Sequence, residues 1–200
     1  MQLIIKKFFI IFIFIIFLLP QNKSYSSLSA KDFEDFGLIS IMYHRFNETK
    51  YPSTNIQLKV FKDQLKIIEN EGIKFIEPKE FGKSISENKK QRKLLLTIDD
   101  GLSSFYNNAW PILKKERIPF ILFVNTREVG SFNYMTWDQI IELDTADFVE
   151  IGNHSHSHEY LVDEDAKTIK EDISQSIEIF KKKLGKNSIF FSYPFGEYSL

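Results

Sequence analysis

From residue 38 onward the chain alternates short apolar runs with amphipathic stretches. A brief apolar run bounded by turn formers reads as a buried strand, and apolar positions three and four apart read as one face of a helix. Six segments qualify as strands: 38–42, 73–76, 93–98, 119–124, 147–151 and 188–193. Between them the clearest helical stripe is Ile169, Ile173, Ile177, Phe180 and Leu184, with further stripes through Phe61, Leu65 and Ile68 and through Phe105, Ala109 and Ile112. These stripes are read as core faces and imply no ligand. Strand and helix in alternation predict an α/β fold built on a mainly parallel sheet.

The first 26 residues follow a different rule. Lys6 and Lys7 precede twelve uninterrupted apolar residues, 8–19, and Pro20 and a Ser-rich stretch follow. This is the layout of a secretory signal, with cleavage expected after Ser26, or of an N-terminal membrane anchor if cleavage does not occur. Twelve residues fall short of the roughly 20 that an ordinary spanning helix needs. The expected division is therefore 1–26 as signal or anchor and 27–200 as one folded domain, exported to the periplasm, cell envelope or exterior. The chain has no cysteine, which is compatible with an oxidising compartment.

Composition adds limits. Two hundred residues, 43% of them hydrophobic, with only 8 Gly and 6 Pro, suffice to bury a core as a single domain. The net charge is -1 overall and -4 over residues 27–200, a balance that points away from nucleic acid or another polyanion as partner. The basic run 87–93 reads as a solvated helix end and loop.

The candidate chemistry sits where the apolar runs end. Asp99-Asp100 closes the third strand candidate, His154 follows the fifth, and Pro194-Phe195-Gly196 follows the sixth. In parallel α/β folds the carboxyl ends of the strands converge on one face, where sites are built. Three of the four histidines fall in the sequence HSHSH at 154–158. His154 and His158 with a carboxylate from a distant strand end, Asp100, supply three ligands of the kind a catalytic Zn²⁺ accepts and leave a position open. Co²⁺, Ni²⁺ or Fe²⁺ suit the same donors. Adjacent strand residues point to opposite sides, so only a distorted strand end brings both aspartates to one pocket. Asp99 is then free to act as general base, and Gly101 lets the backbone turn.

TIDDG at 97–101, HSHSH at 154–158 and YPFG at 193–196 resemble the first three motifs of the polysaccharide deacetylases, the NodB-homology or carbohydrate esterase family 4 enzymes. The resemblance covers about residues 38–200. It implies a distorted (β/α) barrel of the NodB-homology type that removes N-acetyl, or sometimes O-acetyl, groups from β-linked polysaccharides. By position it makes Asp99 the base, Asp100, His154 and His158 the metal ligands, and Phe195 the residue whose backbone N–H faces the oxyanion. Pro194 would fix the geometry of that loop. Tyr193 and His44 are assigned to the sugar cleft, with a structural hydrogen-bonding role as the equal alternative for His44, His156 to the pocket wall or the ring of groups behind it, and Trp137 to a sugar face, with packing at a helix start as its alternative.

Two departures from the family pattern stand out. Ser192 occupies the place where many members carry an arginine that orients the base. The form Ser-Tyr-Pro-Phe-Gly, with Ile41-Met42-Tyr43-His44 at the first strand, is similar to the branch acting on poly-β-1,6-N-acetylglucosamine. The family's later motifs, including a Leu-x-x-His whose histidine protonates the leaving amine, do not occur within the 200 residues, and six strands are one or two fewer than the barrel has. The domain is therefore expected to be incomplete at its C-terminus. The leading expectation is a metal-dependent deacetylase of N-acetylglucosamine polymers, among which poly-N-acetylglucosamine, chitin oligomers and peptidoglycan stay open. A non-catalytic carbohydrate-binding envelope protein and an O-acetyl (xylan-type) esterase are the alternatives. Oligomeric state is not read from the sequence.

Overall fold

The strand Arg92–Ile98 organises the fold, because its apolar residues are buried on both faces. The computed structural model describes residues 37–86 and 91–198. In chain order the elements are β1 (Gly37–Tyr43), β2 (Arg45–Phe46), β3 (Asn55–Ile56), α1 (Leu58–Asn70), β4 (Lys74–Phe75), α2 (Phe81–Ser86), β5 (Arg92–Ile98), α3 (Trp110–Glu116), β6 (Phe120–Val124), α4 (Trp137–Asp144), β7 (Val149–Asn153) and α5 (Ala166–Leu184). The signal or anchor expected at 1–26 lies outside the described residues, as do residues 87–90 of the basic run. No described helix is long and apolar enough to cross a membrane.

Strand β5 pairs along its whole length with β1, from Gly37↔Arg92 to Tyr43↔Ile98. Its other side is shared by β4 at the start and β6 at the end, and β6 in turn pairs with β7, from Phe120↔Val149 to Val124↔Asn153. Every pairing is parallel, so Asp99 and His154, which immediately follow β5 and β7, emerge at one edge of the sheet. The short strands β2 and β3 form a separate parallel pair.

Residue alternation along the strands divides the core in two. Leu94, Leu96 and Ile98 of β5, with Phe120, Leu122 and Val124 of β6, face the helices and meet Phe61 of α1, Leu113 of α3, Leu143 of α4 and Phe180 of α5. On the opposite face Leu95, Ile121 and Phe123 form a smaller cluster with Ile76, supported by Leu38, Phe81 and Phe190. This second face is the interior side of the expected barrel. Among the described residues the sheet is open, with β1 and β7 at the ends of its path.

Two strand boundaries differ from expectation for physical reasons. The segment 188–193 makes a single bridge, Asn153↔Phe191, instead of a strand. Ser188 Oγ accepts from Phe190 N–H (3.2 Å) and donates to Phe190 O (2.8 Å), a local turn that takes up groups a ladder would need. The strand expected at 147–151 is displaced to β7. Asp147 is held by Arg117 Nη2 at 2.7 and 2.9 Å, and Val149 N–H closes a turn onto Ala146 O before the strand begins.

Helix α5 also corrects the reading of its stripe. Its fully inward residues are Asp172, Ser176 and Phe180, whereas Ile177 is 42% exposed and Ile169, Ile173 and Leu184 flank the contact. The helix is turned so that two polar side chains, four residues apart, face the sheet. Ahead of α3, residues Phe105–Ala109 form a wider π-helical turn, and Asn108 Nδ2 donates to Ser104 O (2.9 Å) and Phe46 O (3.1 Å) there.

Glu142 on α4 ties that helix to the segment 105–116. Its carboxylate accepts from Tyr106 OH (2.5 Å), Lys114 Nζ (2.9 Å) and Trp110 Nε1 (3.2 Å). The hydrogen bonds from Tyr106, Lys114 and Trp110 lower its pKa to about 2. The stability this gives is present above the ordinary glutamate value and is lost as pH falls through the folded value. Glu142→Gln should therefore lower stability at pH 6 by less than about 1 kcal/mol, because solvent screens the group, and by clearly less near pH 2, where the carboxylate is half protonated. Urea unfolding at the two pH values checks this. Gly152 lies under the ring of Phe123, where an added Cβ would stand 2.3 Å from Cδ1 and 2.5 Å from Cε1. Gly152→Ala is expected to cost about 2–3 kcal/mol by overpacking, seen as a lower urea midpoint, and Phe123→Leu should restore part of it.

Candidate metal and catalytic site

At the end of β5 the backbone reverses. Asp99 N–H still donates to Tyr43 O of β1 (2.8 Å), so Asp99 keeps the strand's geometry. Asp100 (φ 74°) and Gly101 (φ 69°) then adopt left-handed conformations in succession. Met135 N–H donates to Gly101 O (2.8 Å) and Ser103 N–H to Asn133 O (2.8 Å), which pins the turn beneath the loop before α4. This reversal lets two neighbouring carboxylates reach one point.

At the end of β7 the chain turns in a similar way. His154 N–H donates to Val124 O (3.0 Å), and Ser155 (φ 67°) and His158 (φ 58°) are left-handed. Phe195 in the turn Pro194–Gly196 is left-handed as well (φ 61°). For an L-residue this conformation costs about 1–2 kcal/mol, and aspartate tolerates it better than most. Such strain persists where surrounding bonds impose it, and it gathers at functional sites.

The result is a cluster. Asp100 Oδ1 lies 3.2 Å from His158 Nε2 and 3.7 Å from His154 Nε2, and Asp99 Oδ2 lies 3.9 Å from His154 Nε2. Donor atoms of Asp100, His154 and His158 all lie within 4.8 Å of one another. Asp99 Oδ1 and Asp100 Oδ1 are buried without a hydrogen-bond partner, a costly condition for carboxylates that a bound cation would relieve.

The histidine tautomer fits the same purpose. His154 Nδ1 lies 2.8 Å from the carbonyl oxygen of Ser192, and since a carbonyl only accepts, that nitrogen carries the hydrogen. Nε2 is left with its lone pair toward the cluster, the arrangement metal-ligating histidines share. Burial lowers the His154 pKa to about 4, against the opposing pull of the Ser192 carbonyl, and keeps the ring neutral. The residue at position 192 thus serves His154 through its backbone, while its side chain takes no part in holding Asp99, whose Oδ1 has no hydrogen-bond partner among the described residues.

The two aspartates are pushed apart in acidity. Burial, reinforced by the charge of Asp100, raises Asp99 to about 7. Burial also acts on Asp100, but the imidazoles of His158, His44 and His154 outweigh it and hold its pKa below the ordinary aspartate value. Neighbouring carboxylates with separated pKa values divide naturally into a base and a metal ligand.

Other sequence candidates take definite places. His44 follows β1, half-buried, with its pKa lowered by burial against the charge of Asp100. His156 turns to Thr126, whose Oγ1 is 2.8 Å from its Nδ1, and it is not part of the three-residue cluster. Phe195 stacks flat on Tyr160, with centroids 3.7 Å apart and planes at 5°, and its ring meets His158 edge-on at 4.8 Å. Pro194 is buried, while Tyr193 is exposed and packs edge-on against Phe191. Trp137 is partly buried, its ring edge-on against Phe180 at the start of a helix capped by Thr136 and Gln139, which is the packing arrangement given above as the alternative.

Sequence reasoning missed Asn153, Ser155, Tyr160, Asp172 and Ser176. Asn153 Oδ1 accepts from Ser155 N–H (2.9 Å), while its backbone bonds Phe190 O and Ser192 N–H. The available signal was on α5, where two small polar residues lie in line with Phe180 at spacings of four.

Comparison with known proteins agrees with this geometry. A family model described as polysaccharide deacetylase matches residues 86–200. The Bacillus subtilis (strain 168) protein YxkH is 25% identical over 161 residues, which are 80% of this chain and 57% of that protein, so the chain spans little more than half of this relative. The poly-β-1,6-N-acetyl-D-glucosamine N-deacetylase of Staphylococcus aureus (strain MSSA476) is 23% identical over 228 residues, covering 96% of this chain and 79% of the relative. The structure of the Streptococcus pyogenes deacetylase PplD in complex with acetate superposes with a TM-score of 0.72 at 26% identity, over 82% of this chain and 76% of that one. With the family model covering more than half its length and an Asp-His-His cluster at the strand ends, the chain belongs to the polysaccharide deacetylase family.

Proposed function

We propose that this protein hydrolyses N-acetyl groups from N-acetylglucosamine-containing polysaccharide, with poly-β-1,6-N-acetylglucosamine as the favoured polymer. The observation that carries the reading is the buried Asp99, poised near neutrality beside Asp100, His154 and His158. The Staphylococcus aureus relative, named for that polymer, supports the choice of substrate. Export through residues 1–26 would bring the enzyme to an envelope or matrix polysaccharide, either free or tethered to the membrane.

Asp100, His154 and His158 are the residues that would hold a divalent metal, Zn²⁺ before Co²⁺, Ni²⁺ or Fe²⁺. Bound there, it would supply Lewis-acid polarisation of the acetamide carbonyl. Asp99 takes the proton from the attacking water, for which a pKa near the working pH is well matched. The new carbon–oxygen bond forms, the proton taken up by Asp99 passes to the amide nitrogen as the carbon–nitrogen bond breaks, and acetate and a glucosamine amine leave. The backbone N–H of Phe195 donates to the oxyanion as charge develops on it. His44 and Tyr193 border the sugar cleft, and His156, held by Thr126, stands behind the ligand loop.

Acetate release from β-1,6-linked N-acetylglucosamine oligomers tests the proposal, with chitin oligomers and acetylated xylan as comparison substrates. Asp99→Asn should lower the rate by about 10²–10⁴-fold, and chelation followed by Zn²⁺ should abolish and restore it. An unchanged rate in either case would sink the mechanism, and preferential turnover of acetylated xylan would favour an esterase.

The stack of Tyr160 on Phe195 gives a separate expectation. Tyr160→Ala frees the Phe195 turn and should reduce kcat about tenfold with little change in KM, the mark of lost transition-state contact. Tyr160→Phe keeps the ring face and should retain most of the activity.

A further inference from the structure

Residues 155–158 present four consecutive backbone N–H groups, and each donates to a side-chain oxygen. Ser155 N–H donates to Asn153 Oδ1 (2.9 Å), His156 N–H to Asp172 Oδ1 (2.8 Å), Ser157 N–H to Asp172 Oδ2 (2.8 Å) and His158 N–H to Ser155 Oγ (3.0 Å). Half of these bonds therefore end on one carboxylate, which stands on α5 and is 9% exposed. Ser176, also on the inward side of α5, accepts from Asn153 Nδ2 (2.8 Å) and returns its own hydrogen to Ile173 O (2.8 Å).

The carbonyl side of the turn is held by backbone bonds, since Thr126 N–H donates to Ser155 O (3.2 Å) and Arg127 N–H to His156 O (3.0 Å). Its amide side, with left-handed residues at positions 155 and 158, has side-chain acceptors instead, and without them residues 156–158 would be freer to carry His158 away from the point at which His154 aims. Asp172 removes that freedom by gripping two adjacent amides with both oxygens, charge-assisted bonds of the stronger kind. Ser176 does the same for the first residue of the turn through Asn153. The ligand loop is thus moulded on the surface of α5.

We propose that Asp172 is a positioning residue for metal binding: acting through the backbone of residues 156 and 157, it fixes the separation of His154 and His158 and so sets the affinity of the site for a divalent cation. It rests on the reading of Asp100, His154 and His158 as ligands. Asp172 itself is not among them.

The test uses the full chain stripped of metal. Zn²⁺ affinity is measured by competition with a chromophoric chelator, Co²⁺ coordination by visible absorption, and metal-free stability by thermal unfolding. Asp172→Asn keeps one acceptor oxygen but turns an NH₂ toward the second amide. It should bind Zn²⁺ about 10–100-fold more weakly, with an altered Co²⁺ spectrum, and Ser176→Ala should weaken binding up to about tenfold. Phe180→Leu, on the same face of α5 but away from the loop, should lower stability while leaving affinity and spectrum unchanged. Unchanged affinity and spectrum in both polar variants, or an equal loss of affinity in Phe180→Leu, would overturn the inference and leave Asp172 as a support of the fold. If Asp172→Asn does not fold, Ser176→Ala against Phe180→Leu decides. A wild-type chain that binds no Zn²⁺ overturns the ligand reading first, and the inference with it.

Discussion

All the chemistry of this molecule depends on parallel strand pairing about β5. An antiparallel neighbour would carry its last residue to the opposite edge, but β1, β6 and β7 all run with β5, so four loops open side by side. Helices α1, α3, α4 and α5 pack on the face of the apolar residues 94, 96 and 98, and the opposite face carries the small cluster of Leu95, Ile121 and Phe123, with Phe81 of α2 against it. Burial then does chemical work at the strand ends. It removes water from Asp99 and His154 and moves their pKa values in opposite directions, toward a carboxyl that is not permanently charged and an imidazole that stays neutral.

Parallel pairing brings the loops together but does not aim the side chains. A regular strand continuation would send Asp99 and Asp100 to opposite faces, and a regular helix or strand through 154–158 would not have the turn observed. The positive φ angles of Asp100, Ser155, His158 and Phe195 perform the aiming. Each is unfavourable alone, and each is held by partners from elsewhere in the chain: the loop at 133–135 under Asp100, α5 under the histidine loop, and Tyr160 over Phe195. The strain of the site is balanced by hydrogen bonds and stacking supplied from outside the motifs.

This division explains what the sequence made legible. Strands near 93–98 and 119–124 were readable because a buried parallel strand is a continuous apolar run, and 38–42 was readable by its apolar run although β1, at an end of the sheet, leaves Ile39 and Met42 exposed. The segment 188–193 looked the same by composition, yet Ser188 bonds its own neighbour and Pro194 ends the run, so only one bridge forms. Asp99, Asp100, His154, His158 and Phe195 were visible as polar or turn residues at the ends of apolar runs. Asp172 and Ser176 were hidden because their partners are backbone amides, which carry no residue-type signal, and because Ile169, Ile173 and Ile177 offered a more apolar stripe on the same helix. The place of Ser192 was hidden for the same reason, since its contribution is a carbonyl oxygen.

That carbonyl links two parts of the site that the chain supplies separately. Ser192 O holds Nδ1 of His154, Ser192 N–H is held by Asn153 O, and Asn153 in turn carries the first residue of the histidine turn. The loop bearing Phe195 and the loop bearing the imidazoles are consequently one mechanical unit. Exchanging the segment 190–196 for that of a relative, to change which sugar the cleft admits, would shift the ring of His154 as well. Transplantation of substrate preference between members of this family would have to move both loops together, with the helix face beneath them.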